Sequence, residues 1–163
     1  MKSKTGLKTT TALQVNSVIK MKKVLFVCTG NTCRSPMAEA IFNHLTDSKD
    51  LSAFSCGIYG DGVSPISGNA KTALSEIGID FCHTSTPISK ELVEDADYVI
   101  GMTENHARTI ISMFPEYADK IYAMPSDISD PYGGNLSIYR SCRDEICECV
   151  KSLIKMLTGD DNG

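Results

Sequence analysis

The stretch Val24–Phe42, VLFVCTGNTCRSPMAEAIF, contains an apolar strand, a loop of small polar residues and the start of a helix. Backbone N–H groups of such a loop can turn inward at the positive end of the helix, which favours the binding of an anion such as phosphate. Gly30 and Asn31 tolerate the left-handed backbone angles that this kind of loop needs. The stretch therefore predicts a phosphate-binding loop after the first strand.

Cys28 and Arg34 stand at the two ends of this loop, in the spacing C-x5-R. A helix N-terminus and a nearby arginine favour the thiolate form of a cysteine, which is the nucleophilic form. Arg34 offers a planar fork that can hold two phosphate oxygens at once. An isolated C-x5-R pair is typical of an ordinary buried cysteine, but the strand, the loop and the following helix together indicate a nucleophile and a phosphate clamp.

The composition limits the classes of protein that the chain can belong to. Its 163 residues, 42% hydrophobic and 22% charged, are typical of one soluble globular domain. A net charge of -4 gives no general attraction to nucleic acid or to an anionic membrane, so we expect neither as a partner. Seven cysteines in no regular framework, without a signal peptide, predict reduced thiols and a cytoplasmic location.

The two ends of the chain differ from its centre. Residues 1–20 are rich in Lys and Thr, and we expect them to be a poorly ordered extension that the fold and the activity do not need. Residues 21–158 are expected to form the single domain, and 159–163 a polar tail. The length is too short for two independent domains of typical size, so one domain is expected.

Strands and helices alternate along residues 22–157. Apolar strands are predicted at 22–28, around 53–56, within DADYVIGMT (95–103) and at KIYAM (120–124), with amphipathic helices between and after them. This alternation implies right-handed crossovers. The fold class is therefore α/β: a single three-layer domain with a central four-stranded parallel sheet and helices on both faces.

Residues with known positional preferences mark the helix ends. Ser35 is predicted to cap the first helix, with Pro36 at its first position. Gly78 is placed to end the second helix, and Thr103 to cap the third. The apolar face of the second helix is predicted to consist of Ala70, Ala73, Leu74 and Ile77.

The motif VCTGNTCRSPMAEAIF, together with DPYGG (130–134), resembles the low-molecular-weight protein tyrosine phosphatase family and, within it, the bacterial protein arginine phosphatases. The resemblance covers about residues 22–157. It implies that Cys28 attacks phosphorus and forms a phosphocysteine, while Arg34 and loop N–H groups hold the phosphoryl oxygens. It implies that Asp130 protonates the leaving group and then activates water. No metal or cofactor is expected.

The resemblance also implies supporting roles. Ser35 is expected to donate a hydrogen bond to the sulfur of Cys28, and Asn31 to be held by Ser55 and His83. Cys33 either fills the loop or captures Cys28 as a disulfide under oxidation. The predicted substrate-binding residues are Thr29, Gly30, Asn31, Thr32, Cys33, Ser35 and Tyr132.

Thr32 is the main indication of specificity, because many tyrosine phosphatases of this family carry isoleucine there. A threonine hydroxyl suits a guanidinium, which Asp130 could also bind through two hydrogen bonds. The predicted substrates are therefore proteins phosphorylated on arginine, bound by a monomeric enzyme. Phosphotyrosine is the first alternative. Thiol-dependent arsenate reductase is a remote one, because Cys82 has no nearby cysteine partner before Cys142.

Overall fold

The computed structural model describes residues 21–159. The expectations for residues 1–20 and for the tail beyond Gly159 lie outside the described residues. Each of the four strands is followed by at least one helix along the described part of the chain. The elements are β1 (Lys22–Cys28), α1 (Arg34–Leu45), β2 (Leu51–Gly57), α2 (Gly68–Ser75), α3 (Lys90–Asp95), β3 (Tyr98–Gly101), α4 (Glu104–Met113), a 3₁₀ helix (Pro115–Lys120), β4 (Ile121–Ala123) and α5 (Leu136–Thr158).

The four strands form one parallel sheet in the order β2-β1-β3-β4. β1 pairs with β2 along its whole length, from Lys22 opposite Leu51 to Cys28 opposite Gly57. β1 also pairs with β3 on its other edge, which explains its continuous apolar sequence, since a central parallel strand is buried on both faces. The predicted four-stranded parallel sheet is confirmed.

The sheet separates two apolar layers. Val24 and Phe26 of β1 pack on the side of α1, α2 and α5, while Leu25 and Val27 pack on the side of α3 and α4. Alternate residues of a strand point to opposite faces, so a single strand contributes to both layers. This arrangement confirms the predicted three-layer α/β fold with helices on both faces.

Two predicted helix ends are confirmed by their hydrogen bonds. Thr103 precedes α4, and its Oγ1 accepts the N–H of His106 at 3.1 Å. Gly78 has φ of +84° and follows α2. Its N–H donates to the carbonyl of Ser75, and that of Ile79 donates to the carbonyl of Leu74, both at 3.0 Å. These two bonds form the Schellman motif, which needs a left-handed residue at the position of Gly78.

The predicted cap of α1 is wrong. The helix begins at Arg34, the N-cap position is Cys33, and no side chain caps it. Ser35 lies inside the first turn, and its hydroxyl contacts the sulfur of Cys28 at 2.9 Å instead of capping a backbone N–H. Pro36 is still within the first turn, where its missing N–H costs little.

Two other details of the helices differ from the sequence prediction. Ile77 does not belong to the apolar face of α2, because the helix ends at Ser75 and the Ile77 side chain is 37% exposed. α3 was not predicted, since this short helix buries only Val93 and leaves too short a pattern to recognise.

Within residues 21–159, no helix combines the length and apolar content that crossing a membrane requires.

Gly78 provides a test of the end of α2. The Gly78→Ala variant should lower the free energy of unfolding by about 1 to 2 kcal/mol, because a Cβ at positive φ is strained although nothing lies within 4 Å of it. Urea unfolding measures the difference.

Gly68→Ala is the matched control, because Gly68 also has open space around it but no positive φ. Its stability should be unchanged or slightly raised. Equal destabilisation of both variants would contradict the conformational explanation.

Candidate active site

The loop between β1 and α1 curves around a cavity of about 280 Å³ at the carboxyl end of the sheet. The loop after β4 closes the opposite side of this cavity. Ligands of open α/β sheets bind at this edge. The residues that line the cavity are Cys28, Thr29, Gly30, Asn31, Thr32, Cys33, Arg34, Asp130 and Tyr132.

Cys28 ends β1 and is only 3% exposed. Its Sγ accepts the N–H of Asn31 at 3.3 Å and lies 2.9 Å from Oγ of Ser35. The Ser35 hydroxyl accepts a hydrogen bond from the Asn31 amide, so its own hydrogen is directed to the sulfur or to the carbonyl of Cys56 at 3.3 Å. Donors at a sulfur stabilise negative charge on it, which suits a nucleophilic thiolate.

Asn31 is the fully buried centre of the loop, with φ of 59°. Its Nδ2 donates to Ser35 Oγ at 2.8 Å and to Ser55 Oγ at 3.0 Å. Its Oδ1 accepts from His83 Nε2 and from the backbone N–H of Thr86, each at 2.8 Å. Every donor and acceptor of this amide is satisfied, which fixes its orientation and offsets the cost of the left-handed backbone.

The partners of Asn31 are themselves held by the carboxylate of Glu39. Ser55 donates to Oε1 of Glu39 at 2.6 Å, and His83 Nδ1 lies 3.8 Å from the same oxygen. Burial raises the pKa of Glu39, an effect that the Ser55 hydrogen bond opposes, and burial lowers the pKa of His83 below 6.5. Both shifts disfavour the charged forms, so burial opposes an ion pair between His83 and Glu39.

Arg34 connects the loop after β1 with the loop after β4. Its side chain is almost fully buried, and Nη1 donates to the carbonyl of Ile128 at 3.2 Å. Nη2 lies 3.7 Å from Oδ2 of Asp130, which is too long for a hydrogen bond. Asp130 is more than half exposed and accepts the N–H of Tyr132 at 3.1 Å. Both charged groups line the cavity, where they form a loose ion pair with each other.

Two small residues from neighbouring segments hold the loop in place. A Cβ at Gly57 would lie 2.7 Å from the carbonyl oxygen of Thr29, so the end of β2 needs a glycine for this close approach. Ser85, which is 2% exposed, donates from Oγ to the carbonyl of Gly30 at 2.8 Å. The cradle is thus shaped by contacts outside its own motif.

Cys33 points toward α5, where its Sγ lies 3.2 Å from the hydroxyl of Tyr139. Burial, followed by the hydrogen bond with Cys33, raises the pKa of Tyr139 to about 12, so this phenol stays protonated. Thr32 is partly exposed, and its Oγ1 is 3.7 Å from the same sulfur. The pairing of Cys33 with Cys28 under oxidation stays a prediction.

The structure brings together all of the residues that the sequence assigned to the site. It adds His106, a buried histidine whose Nε2 lies 2.9 Å from Oγ1 of Thr29. No motif identifies this residue, although the cap at Thr103 places it in the first turn of α4, beside the carboxyl end of β3. Glu39, Ser85 and Tyr139 were also missed.

Comparison with known proteins agrees with this geometry. The model of the family "low molecular weight phosphotyrosine protein phosphatase" matches residues 23–162. A protein-arginine-phosphatase from Bacillus subtilis is 39% identical over 146 residues, which cover 84% of this chain and 97% of the relative. An arsenate reductase from Bacillus cereus is 34% identical over 131 residues, which cover 80% of this chain and 92% of the relative.

A solved structure of an arginine phosphatase from Geobacillus stearothermophilus superposes with a TM-score of 0.82 at 36% identity. The match covers 85% of this chain and 94% of that one. The chain belongs to the low molecular weight phosphotyrosine protein phosphatase family. It is a hydrolase of the phosphoprotein phosphatase class.

His106 makes stability depend on pH. Burial, with a smaller contribution from the charge of Arg34, lowers its pKa from 6.5 to about 4. The unfolded chain therefore binds a proton between pH 6.5 and 4 that the folded chain does not, so stability falls as pH falls through this window. The contribution is on the order of 1 to 3 kcal/mol.

The His106→Gln variant should show a shallower loss of stability between pH 6.5 and 4 than the wild-type protein. Urea unfolding at several pH values measures the two curves, and their difference removes the contribution of the other titrating groups. Parallel curves would contradict a neutral, buried His106.

Proposed function

We propose that this protein hydrolyses phosphoarginine on proteins through a phosphocysteine intermediate. The observation that carries the proposal is the convergence of the Cys28 sulfur, the Arg34 guanidinium and the Asp130 carboxylate on one cavity, with Thr32 in its wall. The similarity to a protein-arginine-phosphatase supports the same substrate class.

In the first step, the Cys28 thiolate attacks phosphorus and the bond from phosphorus to the guanidine nitrogen breaks. Arg34 and the loop N–H groups hold the equatorial oxygens, which carry the charge of the transition state. The departing nitrogen takes a proton from Asp130. The distance of 3.7 Å between Arg34 Nη2 and Asp130 Oδ2 supports these roles, because it places the phosphate clamp and the acid on the same cavity without a direct hydrogen bond between them.

In the second step, Asp130 takes a proton from water, and the water oxygen attacks phosphorus while the bond to sulfur breaks. Ser35 is in position to stabilise the departing sulfur, since its Oγ lies 2.9 Å from Sγ. Asn31 holds the Ser35 oxygen from the other side at 2.8 Å. Ser55 and His83 act indirectly, by fixing the Asn31 amide.

Thr32 and Asp130 together favour a guanidinium over a phenol in this proposal. Both line the cavity, one on each of the two loops that enclose it. Once Asp130 has given up its proton, its carboxylate can hold the guanidinium product through two parallel hydrogen bonds, and a threonine wall is polar where isoleucine would be apolar. Tyr132, with 81% of its surface exposed, lines the cavity at its entrance, where it can contact the protein part of the substrate.

Phosphotyrosine is the alternative substrate, and the family name allows it. Arsenate reduction is less well supported. Cys82 is exposed beside Lys71, whereas Cys142 is buried in α5 and burial raises its pKa to about 12, which makes it a poor relay thiol. Arsenate-dependent consumption of thiol should be undetectable.

We further propose that residues 21–158 form the phosphatase domain, that residues 1–20 are dispensable for it, and that the enzyme acts in the cytoplasm as a monomer on phosphorylated proteins. The match of the family model to residues 23–162 supports the first boundary. A chain that begins at Met21 should keep its activity.

The Cys28→Ser variant should lose turnover while keeping the affinity for inorganic phosphate, because the cradle and Arg34 remain. Initial rates with matched phosphoarginine and phosphotyrosine peptides under reducing conditions measure turnover. Cys82→Ser is the matched control, since Cys82 is exposed and away from the cavity, and it should keep full activity. Turnover by the Cys28→Ser protein would show that another group is the nucleophile.

The Thr32→Ile variant should shift the ratio of kcat/KM for phosphoarginine over phosphotyrosine toward phosphotyrosine, by about tenfold if one hydrogen bond to a charged group is lost. Thr32→Val separates the hydroxyl from the added bulk, and it should lower the phosphoarginine rate without raising the other. Unchanged kcat/KM ratios in both variants would show that Thr32 does not determine the specificity.

A further inference from the structure

His106 forms a continuous line of hydrogen bonds from α4 to the rim of the cradle. Its ring Nδ1 lies 2.9 Å from Oγ1 of Thr103, and its Nε2 lies 2.9 Å from Oγ1 of Thr29. The residue is buried, with 7% of its surface exposed. Neither the catalytic steps described above nor the hydrogen bonds around Asn31 use this histidine.

The backbone gives the line a direction. The N–H of His106 donates to Oγ1 of Thr103 at 3.1 Å, so that oxygen already serves as an acceptor. Among the residues that the structure describes, the Thr103 hydroxyl contacts only His106, and we assign its hydrogen to Nδ1, the arrangement in which this hydroxyl donates one hydrogen bond to the ring and accepts one from the backbone. A neutral ring that accepts at Nδ1 carries its proton at Nε2, where it donates to Thr29.

Thr29 is exposed and lines the cavity beside Cys28. When its oxygen accepts from His106, its own hydrogen is left free. Within residues 21–159, the Thr29 hydroxyl has no other hydrogen-bond partner. A free O–H at the rim of an anion cradle is a donor for an oxygen that carries negative charge.

We propose that His106 is a positioning residue that holds the Thr29 hydroxyl as a hydrogen-bond donor to a phosphoryl oxygen in the cradle. The inference rests on the phosphatase function proposed above. His106 itself does not touch the phosphoryl group or transfer a proton. His106 donates to the oxygen of the Thr29 hydroxyl, which leaves the hydrogen of that hydroxyl directed to the substrate.

The affinity for inorganic phosphate, measured by titration calorimetry, tests this role. Thr29→Val keeps the shape and removes the donor, and it should weaken binding roughly tenfold. Thr29→Ser keeps the donor and should bind within about twofold of the wild-type protein. Because Thr29 is exposed, both variants should fold.

His106→Phe should weaken phosphate binding roughly threefold to tenfold in the wild-type background, and should have no further effect when Thr29 is valine. His106→Gln should recover part of the loss, since its amide can donate to Thr29. A purely structural role of His106 would give an equal loss in both backgrounds, with no recovery by Gln.

An unchanged affinity in Thr29→Val would overturn the proposal, as would equal effects of His106→Phe in the two backgrounds. If His106→Phe fails to fold, His106→Gln and the two Thr29 variants still decide the outcome. Phosphate affinity does not depend on which phosphorylated residue the enzyme prefers or on turnover. If the enzyme proved inactive on phosphoarginine, the phosphate affinities of these variants would still test the role of His106.

Discussion

The amide of Asn31 is the interaction on which the site depends. Asn31 is the one non-glycine residue with positive φ among residues 21–159, and its side-chain amide stabilises this backbone conformation. The four hydrogen bonds of the amide join the cradle to Ser35, to the strand β2 and to the segment that contains His83 and Thr86. An unsatisfied amide in that position would cost about 1 to 3 kcal/mol for each lost partner. The geometry of Ser35 at the Cys28 sulfur follows from the same amide.

The order of the strands explains how two distant loops form a single cavity. β1 is central, and its carboxyl end lies at the same edge of the sheet as those of β3 and β4. The loops that follow β1 and β4 are therefore close although Cys28 and Asp130 are far apart in sequence. The hydrogen bond from Arg34 to the carbonyl of Ile128 joins these loops directly. It fixes the position of the loop that carries Asp130 relative to the phosphate cradle.

The sheet and the two motifs of the site were predictable because they leave local signals, whereas the supporting roles of Ser55 and His83 came only from the resemblance to the family. A central parallel strand is continuously apolar, and the C-x5-R loop and the Asp-Pro pair are short motifs. The sequence failed where the answer depends on long-range contacts. Ser35 carries the residue type of a cap, yet the Cys28 sulfur and Asn31 occupy its hydroxyl. His106 is separated from Thr29 by 77 positions, and only the fold brings them together.

Gly57 shows how a residue outside the cavity sets its size. The carbonyl of Thr29 and the backbone of Asn31 approach the Gly57 Cα so closely that a Cβ would be 2.7 to 2.9 Å from them. The cradle can curl inward only because β2 ends without a side chain. The width available to a phosphoryl group therefore depends on the absence of a Cβ at Gly57. Any larger residue at this position would push the cradle into the space that the phosphoryl group needs.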